Sequence, residues 1–104
     1  MPEPLAWIGV PPREFTVTAD DGVRLAVTET GEGPPLLLIP GLGASRVVFD
    51  PVLPHLSRGR RTIVYDPRGI GESELGSQRL TMPLLASDAA AVVRATAGEG
   101  SDVL

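Results

Sequence analysis

The sequence predicts an α/β fold in which a parallel sheet follows an antiparallel hairpin. Three observations indicate this within the 104 residues: two alternating segments around a turn signal, a wholly apolar run, and strand-like segments that then alternate with helix-like ones. Strands that alternate with helices are typical of parallel sheets with helices on their faces. We expect the hairpin to be followed by strand, helix, strand, helix and the start of a further parallel strand.

The predicted hairpin covers residues 13–30. Residues 13–19 and 23–30 alternate between apolar and polar positions, as half-buried strands do. The sequence Asp20-Asp21-Gly22 between them is a strong turn signal. The positions that should face the core are Phe15, Val17, Val23, Leu25 and Val27. Residues 1–12 carry four prolines and are expected to form an irregular N-terminal arm.

The parallel part begins with residues 36–39, a short apolar run typical of a strand buried on both faces. A first helix is predicted with Asp50 as its N-cap and Pro51 at its first position. Pro54, at the end of the first turn, weakens this prediction. Residues 61–66 form the next predicted strand, and residues 102–104 look like the opening of another.

A second helix is predicted over residues 82–97. Thr81 is its expected N-cap, and glycines 98 and 100 end it. One apolar stripe at helical spacing should face the sheet, formed by Leu85, Ala89, Val92 and Val93.

Composition excludes several classes of function. The formal net charge of −4 gives no attraction for a polyanion, so we expect no nucleic-acid partner. The sequence has no cysteine, which rules out disulfides, thiolate metal sites and a cysteine nucleophile. Because neither a leader peptide nor an apolar run of membrane-spanning length is present, we expect a cytoplasmic protein with no membrane partner. We also expect no metal site and no cofactor.

Two glycine-rich segments follow the predicted strands. Gly41-Leu42-Gly43 comes just after the apolar run, and residues 66–73 read D-x-R-G-x-G-x-S after the next strand. Together with the hairpin and Phe49, these segments resemble the N-terminal part of α/β-hydrolase-fold proteins. The resemblance covers about residues 13–104, and the octet at 66–73 is its most specific signal.

The resemblance implies an oxyanion hole in the loop after the third strand. Glycines at 41 and 43 allow a sharp turn, and the backbone N–H of Leu42 would be one donor to the oxyanion. The family motif usually opens with His-Gly, whereas this sequence has Pro40-Gly41. The backbone donor is unaffected, but a hydrogen bond from the usual imidazole cannot orient this loop.

The octet at 66–73 is interpreted as a structural loop beside the active site. Its members in that role are Asp66, Arg68, Gly69, Gly71 and Ser73, with the Arg68 guanidinium able to pin the loop by a fork of hydrogen bonds.

Three other features are interpreted as non-catalytic. Residues 71–75 approach the Gly-x-Ser-x-Gly nucleophile elbow, but Leu75 takes the last position and no strand directly precedes the segment. His55 comes too early in the chain for the nucleophile, acid, histidine order of the family. The carboxylate pairs at 20–21 and at 72 and 74 are expected to be simply solvated.

The family's nucleophile elbow would follow the strand that begins at Asp102, beyond Leu104. We therefore expect residues 13–104 to be an incomplete domain, truncated before the elbow, with no catalytic residue in this chain and no activity of its own. The intact parent would hydrolyse a small-molecule ester, lactone or similar substrate. Without a complete fifth strand, residues 36–39 would form an exposed sheet edge through which the chain could self-associate.

Two alternatives remain open. Gly41 and Gly43 after a strand, with Asp66 at the end of the next, partly match a dinucleotide-binding fingerprint, but Arg46 stands where its third glycine belongs. The other alternative is a non-catalytic interaction module, or truncated pseudo-enzyme, that keeps half of the fold.

Overall fold

The computed structural model describes residues 12–41, 43–96 and 102–103, the last pair as backbone only. Its five strands are β1 (Arg13–Thr18), β2 (Arg24–Thr30), β3 (Pro35–Leu38), β4 (Arg61–Tyr65) and β5 (Asp102–Val103). They form one sheet in the order β1-β2-β4-β3-β5. Of the predicted arm, only Pro12 is described, and it is exposed.

The predicted hairpin is confirmed. β1 and β2 pair antiparallel, with Phe15 opposite Val27 and Val17 opposite Leu25. The turn between the strands is closed by a hydrogen bond from Ala19 N to the Val23 carbonyl at 2.8 Å. Gly22 has φ +90°, a left-handed conformation that suits glycine in such a turn.

The parallel part of the sheet is confirmed as well. β3 pairs in parallel with β4 on one side and with β5 on the other, so residues 36–38 of the apolar run lie inside the sheet. Ile39, which was expected to belong to the strand, follows it and is exposed. β2 joins this part through antiparallel pairing with β4. Among the described residues, the pairing of β3 with β5 ends at Leu37.

The first helix differs from its prediction. A 3-10 helix spans Arg46–Phe49, with Asp50 as its C-cap, and α1 is one short turn, Leu53–Leu56. Asp50 and Pro51 therefore do not start the α-helix, and Val52 occupies its N-cap position. The reason is that Pro54 would be the fourth residue of a helix capped by Asp50, where its missing N–H removes the hydrogen bond to the Asp50 carbonyl and its ring clashes with that carbonyl.

The predicted second helix is confirmed as α2 (Met82–Thr96). Residues 97–100, where its end was expected, lie outside the described residues. The Thr81 hydroxyl accepts a hydrogen bond from Leu84 N at 3.2 Å, as an N-cap does. Of the predicted stripe, Val92 is buried and Ala89 and Val93 pack against the core, and Asp88 and Ala91 are buried beside them. No described helix is long and apolar enough to cross a membrane.

The core lies on both faces of the sheet. The face under α2 buries side chains of the hairpin, the sheet centre and the helix: Val17, Ala19, Val23, Leu25, Val27, Leu37, Ile63, Tyr65, Ala91 and Val92. The face under α1 buries a smaller set, Leu36, Leu38, Leu53 and Val64, with Phe49 and Leu56 packed against it. Neighbouring residues of β3 thus point to opposite faces and both are covered, as the apolar run predicted.

Candidate active site

The candidate site lies at the carboxyl ends of β3 and β4. These strands are parallel neighbours, so the loops that leave them, residues 39–45 and 66–76, emerge at the same edge of the sheet. Ligand sites of α/β sheets form at that edge. The two predicted site segments are therefore brought together.

The loop after β3 contains the predicted oxyanion turn. Gly43 has φ +78°, and Ala44 N donates to the Gly41 carbonyl at 2.9 Å, which closes a tight turn. Gly41 and Gly43 are exposed, and a Cβ at either would meet no atom within 4 Å. Leu42, the predicted donor, lies outside the described residues. The open side of the turn leaves room for a ligand at Gly41 and Gly43.

Asp66 connects the two loops. Its carboxylate has 3% of its side-chain surface exposed and accepts hydrogen bonds from Arg46 N at 2.7 Å and Glu72 N at 2.9 Å. The Arg46 guanidinium pairs with the same carboxylate and, through its other terminal nitrogen, with Glu72. One buried carboxylate thus holds the chain after β3 and the chain after β4 at a fixed separation.

Gly71 makes this arrangement possible. Its φ is +53°, and a Cβ built on it would lie 2.3 Å from Oδ2 of Asp66. A side chain at position 71 would therefore displace the carboxylate. Gly69, also in the left-handed region at φ +77°, lets the loop fold back toward Glu74.

Arg68 pins the same loop to α2 and to the hairpin turn. Its side chain is fully buried, and it donates to both oxygens of Asp88 at 2.7 and 2.8 Å. It also donates to both oxygens of Asp21 at 2.8 and 3.1 Å. These hydrogen bonds raise the pKa of the Arg68 guanidinium and hold the pKa of the Asp21 carboxyl well below its usual range.

Ser73 completes the loop and does not sit in an elbow. Its hydroxyl donates to the Asp66 carbonyl at 2.5 Å and accepts from Ala26 N at 2.8 Å. Both interactions fasten the loop to the end of β4 and to β2. With its hydroxyl engaged in this way, Ser73 has the contacts of a structural residue.

The expectation that the acidic pairs are simply solvated is wrong for Asp21, whose side chain is 20% exposed. Asp20, Glu72 and Glu74 are exposed to solvent, although each also pairs with an arginine. Asp21 pairs with Arg68, Glu72 with Arg46 and Glu74 with Arg24, and Asp20 pairs with Arg94. The physical reason is that the turns carrying these carboxylates fold onto strands and helices that present arginines. His55 is exposed on α1.

Sequence reasoning missed two residues of this region, Arg46 and Asp88. Arg46 was weighed only as a departure from a glycine fingerprint, and Asp88 interrupts an otherwise apolar helix face. A charged residue on a buried helix face was the available signal, since it must find a partner of opposite charge. The Asp66 carboxylate is also buried and already bonded, so it does not offer the free oxygen that ribose binding in a dinucleotide site requires.

Comparison with known proteins identifies the family. A family model described as "alpha/beta hydrolase fold" matches residues 34–99. The chain belongs to the α/β hydrolase fold family. The fold predicted from the sequence and its resemblance to this family are thereby confirmed.

Among curated proteins, the "Probable oxidoreductase EphD" of Mycobacterium tuberculosis is 38% identical over 81 residues. The match covers 74% of this chain and 14% of that protein. The α/β hydrolase fold chain described here is thus similar to a small part of a much longer relative.

Solved structures of the family superpose well on this chain. An α/β hydrolase from Sphaerobacter thermophilus has a TM-score of 0.78 and 31% identity, covering 86% of this chain and 34% of its own. An esterase from Exiguobacterium antarcticum has a TM-score of 0.75 and 27% identity, covering 80% and 31%. An epoxide hydrolase from Vigna radiata has a TM-score of 0.80 and 25% identity, covering 88% and 30%. The chain therefore spans about a third of these hydrolases.

Proposed function

We propose that this α/β hydrolase fold chain forms the first part of the catalytic domain of a hydrolase for small esters or lactones. In this proposal the backbone N–H of Leu42, flanked by Gly41 and Gly43, donates one hydrogen bond to the oxyanion of the tetrahedral intermediate. The nucleophile, the acid and the histidine are supplied by sequence that continues β5. The observation that carries the proposal is the junction of the two loops at Asp66, at the carboxyl edge of the sheet.

The chemistry of the open glycine turn supports this role. A developing oxyanion is stabilised by donors that are fixed before the reaction, because no energy is then spent on orienting them. The turn after β3 is held at Gly41 by an internal hydrogen bond and at Arg46 by Asp66. In this proposal Asp66, Arg68, Gly69, Gly71 and Ser73 hold the scaffold, and none of them contacts the reacting atoms.

Epoxide hydrolysis is a second candidate. It is favoured by the superposition on the epoxide hydrolase from Vigna radiata, which has a higher TM-score than the esterase. Ester and epoxide substrates need different nucleophile chemistry, and members of the family with serine or aspartate nucleophiles share this part of the fold.

The test is to sequence the gene beyond the codon for Leu104 and to assay its complete product. We expect an elbow of the Gly-x-Ser-x-Gly type within about ten residues, the length of one long strand, and hydrolysis of p-nitrophenyl acetate. Hydrolysis of styrene oxide without ester hydrolysis would favour the second candidate. A product that contains no elbow and hydrolyses neither substrate would contradict both.

The sheet edge suggests how the 104-residue chain behaves when it is made alone. Among the described residues β5 is the outermost strand of the sheet, next to β3, so its outer side is a sheet edge, and open strand edges pair with other chains. We propose that the isolated chain self-associates through this edge. Size-exclusion chromatography should show oligomers, and a monodisperse monomer that unfolds cooperatively would contradict this.

A further inference from the structure

We infer that Arg46 is a positioning residue that fixes the oxyanion turn by tying it to the loop after β4. The inference rests on the proposed function, since it concerns how that turn is held. Pro40, which precedes the turn, has no side-chain hydrogen-bonding group and no N–H, so it cannot orient the turn by a hydrogen bond from either. Some other group must hold the turn in place.

Arg46 has the required geometry. It lies three residues after Gly43, at the start of the 3-10 helix that ends the turn. Its backbone N–H donates to Oδ1 of Asp66 at 2.7 Å, and its guanidinium pairs with Oδ2 of the same carboxylate. One residue thus makes a main-chain and a side-chain link to one buried anchor.

The anchor itself is rigid. The carboxylate of Asp66 also accepts from Glu72 N at 2.9 Å, and the main chain of Asp66 donates to the Ala26 carbonyl at 3.0 Å. Gly71 leaves no spare room beside it, since a Cβ there would be 2.3 Å from Oδ2. A turn attached to this carboxylate is therefore held in a fixed position relative to β2 and to the end of β4.

The charge balance explains why an arginine is needed. The Asp66 side chain is 3% exposed and that of Arg46 is 12% exposed, whereas that of Glu72 is 76% exposed. A buried carboxylate needs a paired cation. Arg46 supplies this cation, and its guanidinium also pairs with the exposed Glu72. A neutral side chain would keep the main-chain hydrogen bond but leave the carboxylate uncompensated, and the turn would shift as water entered.

Two cavities of the described structure offer no further site. The cavity of about 330 Å³ beside Arg68 is lined by groups that already bond one another, including Asp21, Gln78 and Asp88. The groove of about 510 Å³ between β1 and α2 has no feature that selects an occupant.

The test compares Arg46→Met, Arg46→Lys and a control, Arg24→Met, in the complete gene product. Arg24 is the matched control because it also pairs with the loop after β4, through Glu74 at 3.0 Å, but has no link to the β3 loop. We expect Arg46→Met to lower kcat for p-nitrophenyl acetate about tenfold to a hundredfold, as small misplacements of catalytic groups do, with KM nearly unchanged. Arg46→Lys should recover part of kcat, and Arg24→Met should leave both constants near wild type.

A second readout does not depend on activity. Hydrogen exchange of the amides in residues 41–46 should be faster in Arg46→Met than in wild type and unchanged in Arg24→Met. If the wild-type protein hydrolyses neither p-nitrophenyl acetate nor styrene oxide, the proposed function fails. Hydrogen exchange still tests whether Arg46 holds the turn. If the wild type is active but Arg46→Met changes kcat no more than Arg24→Met, or if exchange is unchanged, the role assigned to Arg46 is wrong.

Discussion

Replacement of Arg68 by methionine tests the largest buried charge network of the fold. The Arg68 side chain is fully buried and that of Asp88 is 3% exposed, with both oxygens of Asp88 bonded by Arg68. Removing one partner of a buried ion pair leaves an uncompensated charge and typically costs about 3–5 kcal/mol. The figure is taken from the buried Asp88 pair alone, because Asp21 is 20% exposed and water can reach it once Arg68 is replaced. We therefore expect Arg68→Met to destabilise the fold by about 3–5 kcal/mol.

The assay is denaturant unfolding of the complete gene product, followed by circular dichroism, with the free energy taken from midpoints at constant slope. Two variants control the result. Arg24→Met removes a surface pair whose side chains are 64% and 46% exposed, and should change stability little. The double variant Arg68→Met, Asp88→Leu removes both charges and should recover most of the loss. A loss from Arg68→Met no larger than that from Arg24→Met would refute the reasoning.

Two further predictions concern Gly71 and Tyr65. Gly71→Ala should cost at least about 1 kcal/mol more than Gly22→Ala, because its Cβ would lie 2.3 Å from the Asp66 carboxylate, whereas a Cβ at Gly22 meets nothing within 4 Å; equal losses would argue against the tight fit. Burial, with the charge of Asp88 second, raises the pKa of Tyr65 to about 12. An unfolded tyrosine ionises at about pH 10, so above that pH the folded state still holds a proton that the unfolded state has lost. The stability that comes from this difference is full below the unfolded pKa and is lost as pH rises through the folded pKa. Unfolding measured along this range should become easier with pH in wild type and less so in Tyr65→Phe, and identical slopes would contradict the assignment.

Most of the fold could be predicted from the sequence because its signals are local. Residues 13–30 alternate between apolar and polar positions around a turn, which predicts a hairpin, and the apolar run at β3 predicts a buried strand. Both predictions are confirmed. The first helix differs from its prediction because the capping signals at Asp50 and Pro51 compete with Pro54, which a helix starting at Asp50 cannot accommodate. Local rules do not decide that competition.

The contacts of the candidate site were harder to predict. The octet at 66–73 was recognised as a structural loop, but its partners come from distant parts of the chain: Arg46, Asp21 and Asp88. Charge pairing across twenty or more residues depends on which elements pack together, which no local pattern encodes. The pairing of Asp21 with Arg68 could not be predicted for the same reason.

The central claim is that the backbone N–H of Leu42 stabilises the oxyanion, and it can be tested by removing that N–H. Proline at position 42 has no N–H, while alanine keeps it. In the complete gene product, Leu42→Pro should lower kcat for p-nitrophenyl acetate by about 10²–10³, the loss typical for one oxyanion donor, and Leu42→Ala should stay near wild type. Wild-type kcat in a folded Leu42→Pro protein, or an equal loss in Leu42→Ala, would contradict the claim.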